Sequence, residues 1–233
     1  MPNLPVLSMP DGAREQLLHC CHKRKYAPKS VIITEGDIGK TLYYILEGSV
    51  EVSMLDEMAE HEIVLAYLNK GDFIGEMHVF MEPAPLDVTV VTREACVLAE
   101  ISYDRLNQLL RGQLAEFAFD ILQAIGSQLA SRLLRTSRKV GSLAFMDVAG
   151  RIANALNELC QQPEAMSYPH GTQIHVTRQQ LGRIVGCSRE LAGKVLKDME
   201  DQQLIQTSGK TILVLNSSHQ SVHPGPRILH HYR

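Results

Sequence analysis

The feature that most constrains this chain is a change of hydrophobic period near residue 103. Before it, apolar residues come in short β-branched and aromatic runs punctuated by glycine. Val31, Ile32 and Ile33 lead into Glu35-Gly36-Asp37, and Leu42 to Val52 forms a second run with Gly48 inside it. Ile63 to Leu68 ends at Asn69-Lys70-Gly71-Asp72, and Val88, Val90 and Cys96 to Ile101 follow. Such runs read as strands, and with no long helical stretch between them they predict a small β-barrel or β-roll rather than a βαβ sheet. The acidic segment Asp56 to Glu60 reads as an exposed hairpin tip. After Tyr103 the period becomes helical. Leu122, Ile125, Leu129, Leu133 and Thr136 stand 3, 4, 4 and 3 apart, and no proline falls between Leu86 and Pro163. Leu114, Phe117 and Ile121 make a second stripe, so a helix from Leu114 to Lys139 has one face for its own β-roll and one for a partner helix. Arg132, Arg135, Arg138 and Lys139 suit a helix C-terminus.

Charge divides at the same place. Residues 1–110 carry 17 acidic and 9 basic side chains, whereas residues 111–233 carry 9 acidic and 14 basic. A basic second half fits an anionic partner. With 233 residues, two domains are expected. No apolar run reaches the roughly 18 to 20 residues of a membrane span and the N-terminus has no secretory pattern, so the expected location is cytoplasmic. Five cysteines at irregular spacing point to thiols rather than a disulfide framework.

Within the basic half, Asp147 to Cys160 is helical, Pro163 to Gly171 reads as a polar loop, and two helices then meet at a short turn. Thr177 and Gln180 form a capping box that opens a helix over Arg178 to Val185. Gly186 permits the turn, and Ser188 caps a second helix running from Arg189 to about Glu200. Its apolar positions Leu191, Val195, Leu196 and Met199 leave Arg189, Glu190, Lys194 and Lys197 to project. This is the helix-turn-helix arrangement, whose second helix enters the major groove of double-stranded DNA. Leu204-Ile205 and Thr211 to Leu215 flank Ser208-Gly209-Lys210 as a wing hairpin.

These segments resemble the cyclic-AMP receptor (catabolite activator) family of bacterial transcription factors, related to the FNR type. The likeness rests on Ile184 to Glu190 and Gly209-Lys210-Thr211. It continues in Thr41 to Ile45, Gly71 to Glu76, Ala99 to Tyr103, Lys139-Val140-Gly141 and Asp147-Val148, covering about residues 15 to 215. The resemblance implies an α+β chain: an N-terminal β-roll, the cyclic-nucleotide-binding jelly roll, over 1–112; a long dimerisation helix over 113–143; and a C-terminal winged helix-turn-helix over 144–216. Residues 217–233, with His219, His223, His230 and His231, read as a disordered tail without a fixed metal-ligand set.

The resemblance also implies roles. Arg189, Glu190 and Lys194 match the base-reading positions; Arg suits the guanine acceptors and Glu the cytosine amino group, while Lys194 stands where the best-known members have Arg and lacks its planar fork. Thr177, Arg178, Gln179 and Lys210 match phosphate-contacting positions, and Ser188, the cap of the second helix, belongs to the same expected DNA-binding set. His22, Lys23, Arg24 and Lys25 match one RNA polymerase surface, and Ser167, Tyr168 and His170 a second. In the effector pocket, Gly75, Glu76 and Met77 match the turn that receives the cyclic phosphate and ribose, and Thr136-Ser137 the pair that reaches the base from both subunits of the homodimer.

One departure stands out: the family's Arg-Ser pair, which neutralises the phosphate, aligns with Leu86-Asp87. A lost charge-assisted bond costs about 1.5 to 3 kcal/mol, and a facing carboxylate on the order of 1 to 4 kcal/mol more. Cyclic AMP binding should weaken by roughly a hundred- to a hundred-thousand-fold. Arg93, two strand positions beyond Val91, could replace the lost cation only by pointing back. The alternatives are another anionic effector such as cyclic di-GMP, or DNA binding without a ligand. His78, after the Gly-Glu pair, reads as packed or solvated. The cysteines lack the set of four thiolates an iron–sulfur sensor needs, and Cys187 reads as a packed turn residue. The expected function is a homodimeric, sequence-specific transcription activator; a nucleotide-binding module acting by protein contact is the other reading. No nucleophile–base pair, metal spacing or phosphate loop suggests an enzyme.

Overall fold

The computed structural model describes residues 7–56, 61–82 and 84–216, and divides into two compact units, 1–138 and 139–233. The first is built on two four-stranded antiparallel sheets. One has the order β1 (His22–Tyr26), β8 (Cys96–Ser102), β3 (Thr41–Glu47), β6 (Phe73–Ile74); the other β2 (Val31–Ile33), β7 (Thr89–Thr92), β4 (Val50–Asp56), β5 (His61–Leu68). Between them lie Ile33, Ile45, Val50, Leu68, Ile74, Val90, Cys96 and Leu98. Strand alternation sends Leu42, Phe73 and Ile101 to the other side of the first sheet. There they meet α1 (Asp11–His19), α2 (Tyr103–Leu110) and the start of α3 (Ala118–Phe145). Because β8 is buried on both faces, its sequence shows no polar alternation.

Several boundaries differ from the sequence reading. The run Leu42 to Val52 is two strands, turning at Gly48 (φ 85°), where a Cβ would stand 2.5 Å from the Ala95 carbonyl oxygen. The long helix does not start at Leu114: Leu114 is buried just before a 3-10 turn, Ala115–Phe117, and α3 runs from Ala118 to Phe145. Arg132, Arg135, Arg138 and Lys139 therefore lie inside the helix and not at its C-terminus. The buried stripe is Ile121, Ala124, Ile125 and Gln128. Ile125, grouped by spacing with Leu129 and Leu133, faces the roll, because the helical repeat of 3.6 places it one turn above Ile121. Phe119 and Leu133, 72% and 68% exposed, and Val140 are not part of that buried stripe.

In the second unit, α4 (Val148–Leu159) is capped by Asp147, whose Oδ1 accepts from the Gly150 N–H at 2.8 Å. The segment read as a polar loop is instead a hairpin of β9 (Met166–Tyr168) and β10 (Gly171–His175). With β11 (Ile205–Ser208) and β12 (Thr211–Leu215) it forms a sheet of order β11-β12-β10-β9. Ile152, Leu156, Leu181, Val185, Val195, Leu196, Ile205 and Ile212 pack between that sheet and α4, α5 (Arg178–Val185) and α6 (Arg189–Asp201). Residues 57–60 of the segment expected to form a hairpin tip, and residues 217–233, lie outside the described residues. Among those described, no helix is long and apolar enough to cross a membrane.

Candidate nucleic-acid interface and effector pocket

Short-range hydrogen bonds build the turn between α5 and α6. Thr177 Oγ1 accepts from the Gln180 N–H at 3.1 Å, and Gln180 Oε1 accepts from the Thr177 N–H at 2.9 Å. At the other end Gly186 adopts φ 70°, and the Gly186 and Cys187 N–H groups both donate to the Gly182 carbonyl, at 2.8 and 3.0 Å. Ser188 Oγ accepts from the Leu191 N–H at 3.2 Å and starts α6. Gly182 was not singled out from sequence, yet a Cβ there would lie 2.6 Å from the Cys187 carbonyl oxygen. A glycine four residues before the turn glycine was the available signal. Cys187 is half-buried, packed against the core of this unit.

α6 buries Ala192, Val195 and Leu196 and leaves Arg189, Glu190, Lys194 and Lys197 exposed on the opposite face. The exposed carboxyl of Glu190 is held below its ordinary range by its own backbone N–H and by the Ser188 hydroxyl, so it stays a charged acceptor. Arg178 and Gln179 are exposed at the first turn of α5. The Arg178 side chain lies along α6: a Cβ on Gly193 would come within 3.3 Å of its Cδ. Lys210 joins them from the wing, because the Val176 N–H donates to its carbonyl at 2.9 Å beside Thr177. Glu200 Oε1 accepts from the Thr207 N–H at 2.7 Å, which ties β11 to α6. The structure thus brings the first turns of both helices and the wing onto one exposed, largely basic surface.

The pocket residues are not assembled in this way. Gly75 (φ 82°) opens the short 3-10 turn Glu76–Val79, and Tyr103 Oη donates to the Gly75 carbonyl at 2.7 Å. Glu76 is only 3% exposed and is ion-paired with Arg132 of α3, which also donates to the Phe73 carbonyl. The carboxylate expected to meet a ribose already holds a guanidinium of its own chain. That contact spans 56 residues and had no local signal in sequence. Leu86 packs half-buried against the core of the roll, its backbone paired with Gly36 and Asp37 at 2.8 and 3.0 Å, and Asp87 is exposed. Arg93 does not point back: its guanidinium sits 4.2 Å above the Tyr67 ring and its N–H donates to the Ser49 carbonyl. His78 is buried rather than solvated, wedged against Gly39, with Nε2 3.4 Å from the Ala84 N–H. Met77, Thr136 and Ser137 are exposed, the last two one turn beyond Arg132.

The two remaining groups lie on sheet edges. His22, Lys23, Arg24 and Lys25 are all exposed on β1, an outer strand, with Arg24 5.3 Å above the Tyr26 ring. Ser167 and Tyr168 are exposed on β9, and His170 in the turn that follows.

Comparison with known proteins is consistent with both halves. Residues 23–113 match the cyclic nucleotide-binding domain and residues 150–218 the Crp-like helix-turn-helix domain. The cAMP-activated global transcriptional regulator CRP of Salmonella typhimurium is 49% identical over 211 residues, 90% of this chain and 98% of the relative. The CRP-like protein Clp of Xanthomonas axonopodis pv. citri is 46% identical over 210 residues, 90% of this chain and 91% of the relative. A solved structure of CLP, the c-di-GMP responsive global regulator of Xanthomonas campestris, superposes with a TM-score of 0.84 at 45% identity, covering 89% of this chain and all of that one.

Proposed function

This chain belongs to the CRP-like family of helix-turn-helix transcription regulators, and from that premise we propose that it is a homodimeric activator that binds its operator without cyclic AMP. The observation that carries the second part is the occupied pocket: Glu76 is bonded to Arg132, Leu86 is packed where a cation is needed, and Arg93 is engaged on Tyr67. A cyclic phosphate entering there would find no cation at Leu86 and would have Asp87 nearby, and the Arg132 guanidinium is already engaged by Glu76 and the Phe73 carbonyl. Cyclic di-GMP is the effector to test first, because the 45% identical CLP of Xanthomonas campestris responds to it.

Dimerisation would use a stripe of α3 made of the exposed Phe119, Leu133 and Val140 and the half-buried Leu122 and Leu129. Arg189, Glu190 and Lys194 would read bases, and Thr177, Arg178, Gln179, Ser188 and Lys210 would hold the DNA backbone. Two such heads on a two-fold axis call for a near-palindromic site with half-sites about one helical turn apart. RNA polymerase would be met by His22 to Lys25 and by Ser167, Tyr168 and His170.

Calorimetric titration with cyclic AMP, cyclic GMP and cyclic di-GMP, with duplex affinity followed in parallel, tests the reading. No micromolar cyclic AMP binding, together with sequence-selective duplex binding by the ligand-free protein, is expected. Tight cyclic AMP binding that raises duplex affinity would overturn it.

A further inference from the structure

On the α1 side of the first sheet a groove opens where α1, β3, the turn after β5 and the first half of α3 meet. It has two lobes, of about 660 and 310 Å³, which share Arg14, Tyr44, Lys70 and Gly71. Leu18 and Leu46 line the larger lobe, and Leu7, Met9 and Ala124 the smaller. Alternation along β3 puts Tyr44 on the same face as the buried Leu42, and its ring packs edge-on against Phe73 with centroids 4.9 Å apart. Gly71, at φ 94°, lies beside the phenol: a Cβ there would stand 3.9 Å from the Tyr44 hydroxyl oxygen. No residue lining either lobe belongs to the expected effector pocket.

What the groove can hold follows from which of its polar groups are already engaged. Asp72 is engaged: Oδ2 accepts from the Asn69 N–H at 2.7 Å, and Oδ1 accepts from the side-chain amide of Gln128, whose Oε1 in turn accepts from the Phe73 N–H at 2.9 Å. Arg14 is paired with Asp11 at 2.6 Å, but Asp11 is 82% exposed, and a surface pair of that kind contributes so little that an entering anion can take the guanidinium. Neither the Tyr44 hydroxyl nor the Lys70 ammonium is hydrogen-bonded or ion-paired among the described residues. Burial holds the phenol above its ordinary range, with Arg14 opposing and Asp72 adding to the effect, so at neutral pH it remains a hydroxyl able to donate. The groups left uncommitted where the lobes join are therefore donors. The carboxylate that remains is the exposed Glu47, in the larger lobe.

We propose that this groove is a ligand site separate from the effector pocket, and that it takes a small organic anion. A single carboxylate or phosphate head would sit where the lobes join, held by Arg14, Lys70 and the Tyr44 hydroxyl, with an apolar body along Leu18 and Leu46. Glu47 selects against a second negative charge on that body. The inference stands apart from the reading of DNA and cyclic AMP given above.

The test uses the full-length chain carrying 3-fluorotyrosine, followed by fluorine NMR. The Tyr44 resonance is identified as the one lost in Tyr44→Phe, and the other tyrosine resonances report that each variant remains folded. Benzoate and phenyl phosphate are titrated as probes, with benzyl alcohol as the uncharged counterpart and inorganic phosphate as the head without a body. Both organic anions, or one of them, should move the Tyr44 resonance saturably with a Kd on the order of a millimolar, the strength open to ligands of about ten heavy atoms. Which of the two binds tells carboxylate from phosphate. Benzyl alcohol and inorganic phosphate should each bind about fivefold more weakly or worse. Lys70→Gln and Arg14→Gln should each weaken the anion by about fivefold or more, and Glu47→Gln should leave it unchanged or tighter. No saturable movement of Tyr44 with either organic anion overturns the proposal. So does benzyl alcohol binding as well as benzoate, which would reduce the groove to an apolar patch. Binding that survives both Lys70→Gln and Arg14→Gln also overturns it, since an adventitious anion only would explain that result.

Discussion

The turn between α5 and α6 and the turn after Gly75 are built from the same materials, glycine, polar caps and a short helix, yet they behave differently. In the first, every bond that shapes the turn joins residues within six positions of one another: Thr177 with Gln180, Gly182 with Gly186 and Cys187, Ser188 with Leu191. In the second, the decisive partners are distant. Arg132 comes from α3 to Glu76, Tyr103 comes from α2 to Gly75, and Leu86 is drawn into the roll by residues 36 and 37. A locally closed motif can keep its function while the rest of the chain drifts. A site assembled from distant pieces can lose its ligand through two substitutions and keep its fold.

The largest effect expected from testing that contrast comes from α3. Leu129→Glu places a charge on the half-buried seam position of α3 and should yield monomers whose operator affinity is lower by more than about a hundredfold, since only one head then engages the site. Sedimentation velocity paired with an operator titration checks this. An unchanged dimer would show that the seam lies elsewhere, and a tight-binding monomer would make the head self-sufficient.

Arg189→Ala addresses the head alone. A bidentate contact to guanine discriminates by about 1 to 3 kcal/mol, so preference for the operator over scrambled DNA should fall roughly five- to 150-fold while weak, salt-sensitive binding persists. Competition titrations at two salt concentrations separate the two. Full retention of preference would mean that local legibility misled about which residues read bases.

For the pocket, Leu86→Arg with Asp87→Ser returns a cation and a hydroxyl to the segment after the 3-10 turn. Cyclic AMP binding should then improve by about tenfold or more, given 1.5 to 3 kcal/mol for a hydrogen bond to a charged group. The gain is limited because Arg132 still competes for Glu76. Calorimetry measures it, and duplex affinity need not follow, since a ligand shifts a conformational equilibrium only by its differential affinity for the two states. If the double variant gains nothing while remaining folded, the distant contacts and not the two substitutions keep cyclic AMP out.

Thr177→Ala should have the smallest effect, about 1 kcal/mol of stability, or a fewfold change in the unfolding equilibrium, because one cap is lost. Urea denaturation followed by circular dichroism reports it. A loss several times larger would mean that the head depends on more than its local bonds.

How far each part could be read follows from the same distinction. The helix α5, its capping box, the αL glycine and the start of α6 were legible because each depends on neighbours three to five residues away. The strands at Val31–Ile33 and Cys96–Ser102 were legible as apolar runs. The split at Gly48 was not, since the turn depends on a close approach to Ala95 across the sheet. β9 read as a loop because Met166–Tyr168 is exposed and carries no apolar alternation; its pairing with Gly171 to Gln173 makes it a strand. Arg132 read as a helix-end charge because nothing near it in sequence marks Glu76.

By itself the sequence determined the division of the chain, the helical period after Tyr103, and the helix-turn-helix with its caps. These follow from composition and short-range hydrogen bonding, which the order of residues states directly. Only the tertiary structure decided where α3 begins, which of its stripes faces the roll, that Glu76 is paired with Arg132, and that Arg93 is engaged on Tyr67. Each of these depends on which side chains become neighbours once apolar faces are buried, and burial is a property of the packed chain, not of any window along it.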